Sequence, residues 1–264
     1  MNALLGTVNA LLSCEQALAP SGGPRAIVAC MGAEEAAYRV RLYPPYHAHR
    51  DPMPAELRTQ WLKAPALLQS FGWTYATSEE LEADDVMFSF ACAERERGGR
   101  ALLVSGDRDM FGAVDEAVSV LELPKGGGAP SQIGPEQVRE RYGVAPAQVP
   151  DFIALRGDPS DGLPGAPGIG AKTAAALLQE HGTLEALLEL AEHEPARAAH
   201  ELRPRIRAAL ADNARQLRDF KAIATLQRIE VSPPPDRASD HAAGARHAEQ
   251  LGMSALARRL RSAA

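Results

Sequence analysis

The residues best placed to do chemistry are carboxylates, and they fall in two short groups. Glu82, Asp84 and Asp85 lie within four residues, at the point where a helix is predicted to open. Asp107 and Asp109 follow directly on the apolar run 101–105, which reads as a strand. In an open parallel sheet, ligands collect at the carboxyl ends of the strands, so both groups are expected on the same edge. Taken singly, each group has a plainer reading. Acidic first turns cap helices and complement their dipoles, and aspartates are common in loops and turns. Taken together, four or five carboxylates on one edge repel one another unless a cation neutralises them. A set of oxygen donors without His or Cys suits Mg²⁺ or Mn²⁺ and not Zn²⁺.

A second constellation spans residues 151–173. A helix is predicted to end at Gly157, and a loop carrying Asp158 and Asp161 follows. Gly165, Gly168 and Gly170 then lead into another helix that holds Lys172 and Thr173 in its first turn. Glycines there let the backbone approach a phosphate, towards which the free N–H groups of a helix start would point. The helix dipole alone disfavours a lysine in the first turn, so Lys172 is expected to face an anion. The plainer alternative is a helix–turn–helix with glycines for tight turning. A third stretch, 38–50, mixes Tyr38, Arg39, Arg41, Tyr43, Tyr46, His47, His49 and Arg50 with two prolines. Its polarity makes it a poor core element, and by itself it reads as a solvated basic loop.

The elements that must position these residues alternate in the first half of the chain. Helical spacing of Leu4, Leu5, Val8, Leu11 and Leu12 predicts a helix over residues 1–19, and 26–30 reads as a short buried strand. A helix over 54–70, interrupted by Pro65, leads to a strand at 73–76 and a helix from Glu82 to about Arg97. Strands at 101–105 and 117–123 flank a short helix. Apolar strands alternating with helices predict a mostly parallel sheet covered on both faces, an α/β fold. A glycine-rich turn at 125–128 ends this pattern. From Gly134 onward only helices are predicted: 135–142, 150–156, 172–180, 184–192 and one long helix over 201–226. The prolines at 233–235 read as a linker before a last short helix around 253–260.

The chain has 264 residues, a net charge of −6 and 45% hydrophobic residues, which excludes wholesale disorder and repeat architectures. Three cysteines, with no CxxC pair, suit a reducing cytosol better than a disulfide framework. Nothing approaches the ~20 apolar residues of a membrane span. Residues 1–19 lack the basic start and small-residue cleavage site of a signal peptide. A cytoplasmic, nucleoid-associated monomer is expected.

Residues 81–85, 106–110 and 151–175, in this order and at these intervals, resemble the bacterial 5′–3′ exonuclease and flap endonuclease family. That family comprises the nuclease domain of DNA polymerase I and its free-standing relatives, and the resemblance covers the chain to about residue 230. It implies a PIN-like, resolvase-like sheet domain over 1–133, with an arch over about 35–53. A helical region with a helix–three-turn–helix DNA-binding element is implied over 134–230, and the linker and short C-terminal helix fill 231–264. Glu82, Asp84, Asp85, Asp107, Asp109, Asp158 and Asp161 match the family's catalytic metal ligands, for Mg²⁺ or Mn²⁺ and for two ions. Gly165, Gly168, Gly170, Lys172 and Thr173 match its duplex clamp, where K⁺ can assist. Tyr38, Arg39, Tyr46, His47 and Arg50 match the arch, with His47 where a lysine is usual. The implied substrates are 5′ flaps and nicked or gapped duplex DNA, with any polymerase on a separate chain and no membrane involved.

The resemblance also implies a strand ending in an aspartate before the opening helix, which this sequence does not show, and a second aspartate where Gly32 stands. The chain is therefore expected to bind flapped DNA while cleaving it weakly or not at all; adding back an upstream strand with its aspartate is expected to restore stability and then activity, and Gly32→Asp to raise the rate further. The alternatives are a catalytically impaired paralogue that binds DNA structures, and a PIN-like ribonuclease, against which the glycine-and-lysine clamp argues.

Overall fold

The computed structural model describes residues 2–123 and 130–263, so the glycine-rich turn expected at 125–128 lies outside the described residues. Helix α1 (Asn2–Leu18) is followed by strand β1 (Val28–Met31) and helices α2 (Ala37–Leu42), α3 (Ala55–Trp61) and α4 (Ala64–Ser70). Strand β2 (Thr74–Thr77), helix α5 (Ala83–Glu96) and strands β3 (Ala101–Val104), β4 (Val118–Glu122) and β5 (Ser131–Ile133) come next. The remainder is helical: α6 (Pro135–Tyr142), α7 (Val149–Arg156), α8 (Ala171–His181), α9 (Leu184–His193), α10 (Pro195–Glu201), α11 (Pro204–Asp212), α12 (Ala214–Ala224), α13 (His241–Gln250) and α14 (Ser254–Ala263). No described helix is long and apolar enough to cross a membrane.

The chain divides into two compact units. One comprises Met1–Met31, Asp51–Ser78 and Ser232–Ala264. Its sheet is the parallel pair β1–β2, in register from Val28 opposite Thr74 to Met31 opposite Thr77. Leu67, Leu68, Phe71 and Trp73 form its core with Leu4, Val8, Ala245, Ala248 and Leu260. Phe71 and Trp73 stack with ring centroids 4.4 Å apart. A Cβ on Gly244 would fall 2.4 Å from the Phe71 ring, so α13 rests on that ring only because it carries a glycine there. The sequence reading missed α13. It buries Gly244, Ala245 and Ala248, small residues that leave no apolar stripe to detect.

The other unit comprises Gly32–Arg50 and Glu79–Val231. Here β3 pairs in parallel with β4, and β4 pairs antiparallel with β5, Val120 opposite Ile133. The parallel pairings expected are present, divided between two sheets, and β5 was not expected. Met110, Phe111, Val120, Phe152, Leu178 and Phe220 are among the fully buried side chains that join this sheet to the helices behind it. The expected helices over 54–70 and 201–226 are broken. Pro65 sits in the first turn of α4 and ends no helix from inside. Pro204 starts α11 and Asn213 separates it from α12, giving two helices in place of one, with α10 ending at Glu201 before them. A proline has no N–H and clashes with the preceding turn, so it suits a helix start.

Candidate active site

The site is built within the second unit. Strand β3 ends at Val104, and the chain then turns through Ser105, whose Oγ accepts the Asp107 N–H at 3.0 Å. Asp107 Oδ1 accepts the Asp109 N–H at 3.0 Å, which holds both aspartates at the end of the strand. Helix α5 begins beside them with Glu82 as its N-cap and Asp84 and Asp85 in its first turn. One small pocket is lined by Glu82, Asp84, Asp107, Asp109 and Asp161, together with Arg39, Tyr46, His47 and Arg50. Four carboxylates of the two sequence groups thus meet, and Asp161 of the later loop joins them.

Asp85 does not line this pocket. Its side chain is fully buried, and Arg39 Nη1 and Nη2 bind its Oδ2 and Oδ1 at 2.7 and 2.8 Å. Its Oδ1 also accepts the Gln227 N–H at 2.8 Å. Glu82 is tied as well: Ala36 N–H donates to Oε1 at 2.8 Å and the Tyr46 hydroxyl to Oε2 at 3.1 Å, with Arg39 Nη1 at 3.2 Å. Burial pushes the Tyr46 hydroxyl far above the ordinary tyrosine range, so it stays a donor.

Asp158 and Asp161 come from a loop fixed by glycines. Gly157 and Gly165 both have positive φ, and a Cβ on Gly165 would lie 2.4 Å from Gly157 N and 2.7 Å from Leu155 O. Asp158 and Leu163 exchange backbone hydrogen bonds, both at 2.8 Å. Asp158 Oδ2 accepts from Arg156 Nη2 at 2.9 Å, and its Oδ1 accepts from Ser160 N at 2.8 Å and from the Ser160 hydroxyl. Asp161 Oδ1 lies 3.0 Å from both His47 Nε2 and Arg50 Nη2. His47 is the only described non-glycine residue with positive φ; its ring stacks on Tyr46 and its Nδ1 is buried without a partner.

The electrostatics are those of crowded acids. Burial raises the Asp84 carboxyl to about 7, and the charges of Asp107, Glu82 and Asp85 add to the effect. Asp107 reaches solvent at the pocket mouth, yet the protein around it raises its carboxyl, and Asp161 and Asp158 raise it further. Burial and the charges of Asp107, Asp161 and Asp158 hold the Asp109 carboxyl well above the ordinary range. Asp161 goes the other way: burial opposes ionisation, but the His47 hydrogen bond and the charges of His47 and Arg50 hold it low. Carboxyls that raise one another are what crowded like charges show without a cation between them. The donor set is therefore chemically suited to a hard divalent ion. Among the described residues no three His, Cys, Asp or Glu side chains already close on a point where an ion could sit. Arg39, Arg156, His47 and Arg50 draw the acids apart.

The stretch 38–50 is only in part the solvated loop its composition suggests: Arg41, His49 and Arg50 are exposed, but the side chains nearest the pocket are not. Arg39, Tyr46 and His47 are buried, and the Tyr38 hydroxyl is enclosed. Arg39 can lie inside because Asp85 and Glu82 compensate its charge. Only Arg50, with its side chain 46% exposed, stays at the pocket mouth. Gly165 is likewise buried against the Gly157 backbone and is not on the outward side of its turn. Gly168, Gly170 and Lys172 are exposed, and Gly170 is the N-cap of α8, with Thr173 half-buried in its first turn. Gly32 does not leave room for an aspartate. A Cβ there would stand 2.4 Å from Ala83 N and Glu82 C, so the expected gain from Gly32→Asp is withdrawn. Sequence reasoning missed Arg156 and Ser160, which hold Asp158, and the pocket wall formed by Ile223, Ala224 and Leu226.

Residues 1–143 match the family model for the 5′–3′ exonuclease N-terminal resolvase-like domain, and residues 144–237 match that for the 5′–3′ exonuclease C-terminal SAM fold. A 5′–3′ exonuclease of Mycobacterium tuberculosis is 37% identical over 249 residues, covering 86% of this chain and 77% of that protein. DNA polymerase I of Mycobacterium bovis is 40% identical over 166 residues, 63% of this chain. The match spans only 18% of that polymerase's length. Among solved structures, the T5 D15 protein co-crystallized with metal ions superposes with a TM-score of 0.64 at 16% identity, covering 96% of this chain and 88% of that one. The catalytic core of Rad2 in complex with DNA substrate gives 0.54 at 16% identity, covering 88% and 76%. At these identities the two structures speak for the fold.

Proposed function

Because this chain belongs to the 5′–3′ exonuclease family, we propose that it hydrolyses phosphodiester bonds at 5′ ends and flaps of DNA with divalent metal ions. The observation that carries this is the convergence of Glu82, Asp84, Asp107, Asp109 and Asp161 on one pocket, where burial and mutual repulsion raise Asp84, Asp107 and Asp109. Asp84, Asp107, Asp109 and Asp161 would hold the metal, Mg²⁺ or Mn²⁺, with Asp158 and Glu82 reaching it directly or through water. The bound ions would supply an activated water and stabilise the leaving oxygen of an in-line displacement. Asp85 has a different part in this reading: it fixes Arg39, and through it Glu82, and does not ligate. Arg50 at the pocket mouth would meet the scissile phosphate. Gly168, Gly170, Lys172 and Thr173 would bind the duplex backbone away from the cut, without reading bases.

The test is release of a labelled 5′ flap in Mg²⁺ and in Mn²⁺ by the chain and by Asp109→Asn. A loose ligand set misplaces the reacting atoms, and about 1 Å can cost about 10²-fold. Turnover lost in Asp109→Asn is expected; turnover unchanged in that variant would overturn the assignment. A second reading, binding of DNA structures without cleavage, is favoured by one observation, that no three described acids close on one point. It predicts salt-sensitive flap binding with no release in either metal.

A further inference from the structure

We propose that Arg156, the last residue of α7, is a latch that holds the Asp158 carboxylate out of the acidic pocket and so sets how tightly the pocket takes a divalent ion. This rests on the reading that the pocket binds metal. The two acids of the loop after α7 are close in sequence, yet only one of them enters: Asp161 lines the pocket and Asp158 does not. Asp158 is within reach all the same. Its charge adds to the burial that raises the carboxyls of Asp107 and Asp109. What keeps it aside is Arg156 Nη2, 2.9 Å from Oδ2, with the Ser160 N–H and hydroxyl on Oδ1.

An arginine in the last turn of a helix has a plain use, since it complements the helix dipole. Arg156 is held more firmly than that use requires. Its Nε donates to Gly157 O at 2.9 Å. Its guanidinium lies over the Phe152 and Tyr142 rings, 5.1 and 5.6 Å from their centroids, and those rings stack on each other at 4.9 Å. The backbone of Asp158 is fixed too, by the pair of hydrogen bonds it exchanges with Leu163. The part left to move is the Asp158 side chain, which release from Arg156 would let turn towards the pocket. A guanidinium–carboxylate hydrogen bond is charge-assisted and strong, so an ion that recruits Asp158 must first break it. Asp161 is held differently, for its partner Arg50 lines the pocket with it and has a side chain 46% exposed. Arg156 is thus a positioning residue whose loss helps the metal instead of hindering it.

Calorimetric titration of Mn²⁺ alone into the full chain, at neutral pH and without DNA, tests this. Arg156→Met covers the two rings with an uncharged, flexible stem. It should bind Mn²⁺ about tenfold more tightly than the parent, a change of the size by which supporting contacts tune metal sites. Arg156→Gln should show the same gain and serves where the methionine variant does not fold. Adding either change to Asp158→Asn should give no gain, because no released carboxylate remains. Weaker or unchanged binding by the Arg156 variants would overturn the latch and leave Arg156 as a support of the loop. An equal gain in the Asp158→Asn background would overturn it as well, since the removal of a nearby positive charge would then account for the whole effect. No binding by the parent or by any variant would overturn the pocket itself as the metal site, and the latch with it.

Discussion

Arg39 and Asp85 form a two-pronged ion pair with neither side chain more than 4% exposed, and the pair stands directly behind the acidic pocket. Arg39 Nε also donates to Ile223 O at 3.0 Å, so this one guanidinium ties α2 and α5 to the end of α12. Removing one partner of a buried pair leaves the other charge uncompensated, at a cost of about 3–5 kcal/mol. Arg39→Leu should lower the unfolding free energy by that amount in urea titration. A loss below about 1 kcal/mol would show that water reaches Asp85 and solvates it.

Stability should depend on pH with a definite sign. The carboxyl of Asp84 is raised by burial to about 7 from the usual 3.8, and Asp107 and Asp109 are raised too. Between about pH 4 and 7 the folded chain therefore holds more protons than the unfolded one, and its stability falls as pH rises. Without metal, Tm should climb as pH is lowered from 7.5 to 5.5. Asp161 is held low and opposes this only below its usual 3.8. A Tm that fell over the same interval would mean that the acids are solvated and not crowded.

The acids could be read from the sequence because each group lies in an unbroken string next to an apolar strand. Their partners could not. Asp161 meets His47 across 114 residues and Asp85 meets Arg39 across 46, and no periodicity marks such pairings. For that reason the composition of 38–50 suggested solvent where the fold has a buried wall. The break at Pro204 could have been read, since proline favours a helix start, but one helix was expected to run through it. The short β5 was not: it has three residues, two of them exposed and polar.

Gly165 should tolerate no side chain. Its φ is +69 and its Cβ would fall 2.4 Å from Gly157 N, which is backbone and cannot swing aside. Left-handed backbone costs an L-residue about 1–2 kcal/mol, and forced overpacking about 1–3 more. Gly165→Ala should thus destabilise by about 2–5 kcal/mol and displace Asp158 and Asp161, weakening metal-dependent stabilisation as well. Gly170→Ala, with open space and φ −91, should leave folding within about 1 kcal/mol of the parent and serves as the comparison. Urea titration of the two variants beside the parent checks the difference.

The sharpest test of the pocket uses two effects of opposite sign. Asp107 and Asp109 repel each other and Asp161, so replacing both by asparagine removes charge that folding must crowd together. Asn is close in shape to Asp, so packing is little changed. The double variant Asp107→Asn, Asp109→Asn should therefore melt higher than the parent in EDTA at pH 7.5. A ligand that binds only the folded state stabilises it by about 2.7 kcal/mol at a hundred times its Kd. Mg²⁺ or Mn²⁺ should accordingly raise the parent's Tm, and the double variant should lose that response. Should the variant melt lower in EDTA, the two carboxylates hold structure and do not wait for a cation. Should it still respond to metal as the parent does, the ions bind elsewhere, and the pocket lined by Asp84, Asp107, Asp109 and Asp161 is not the metal site.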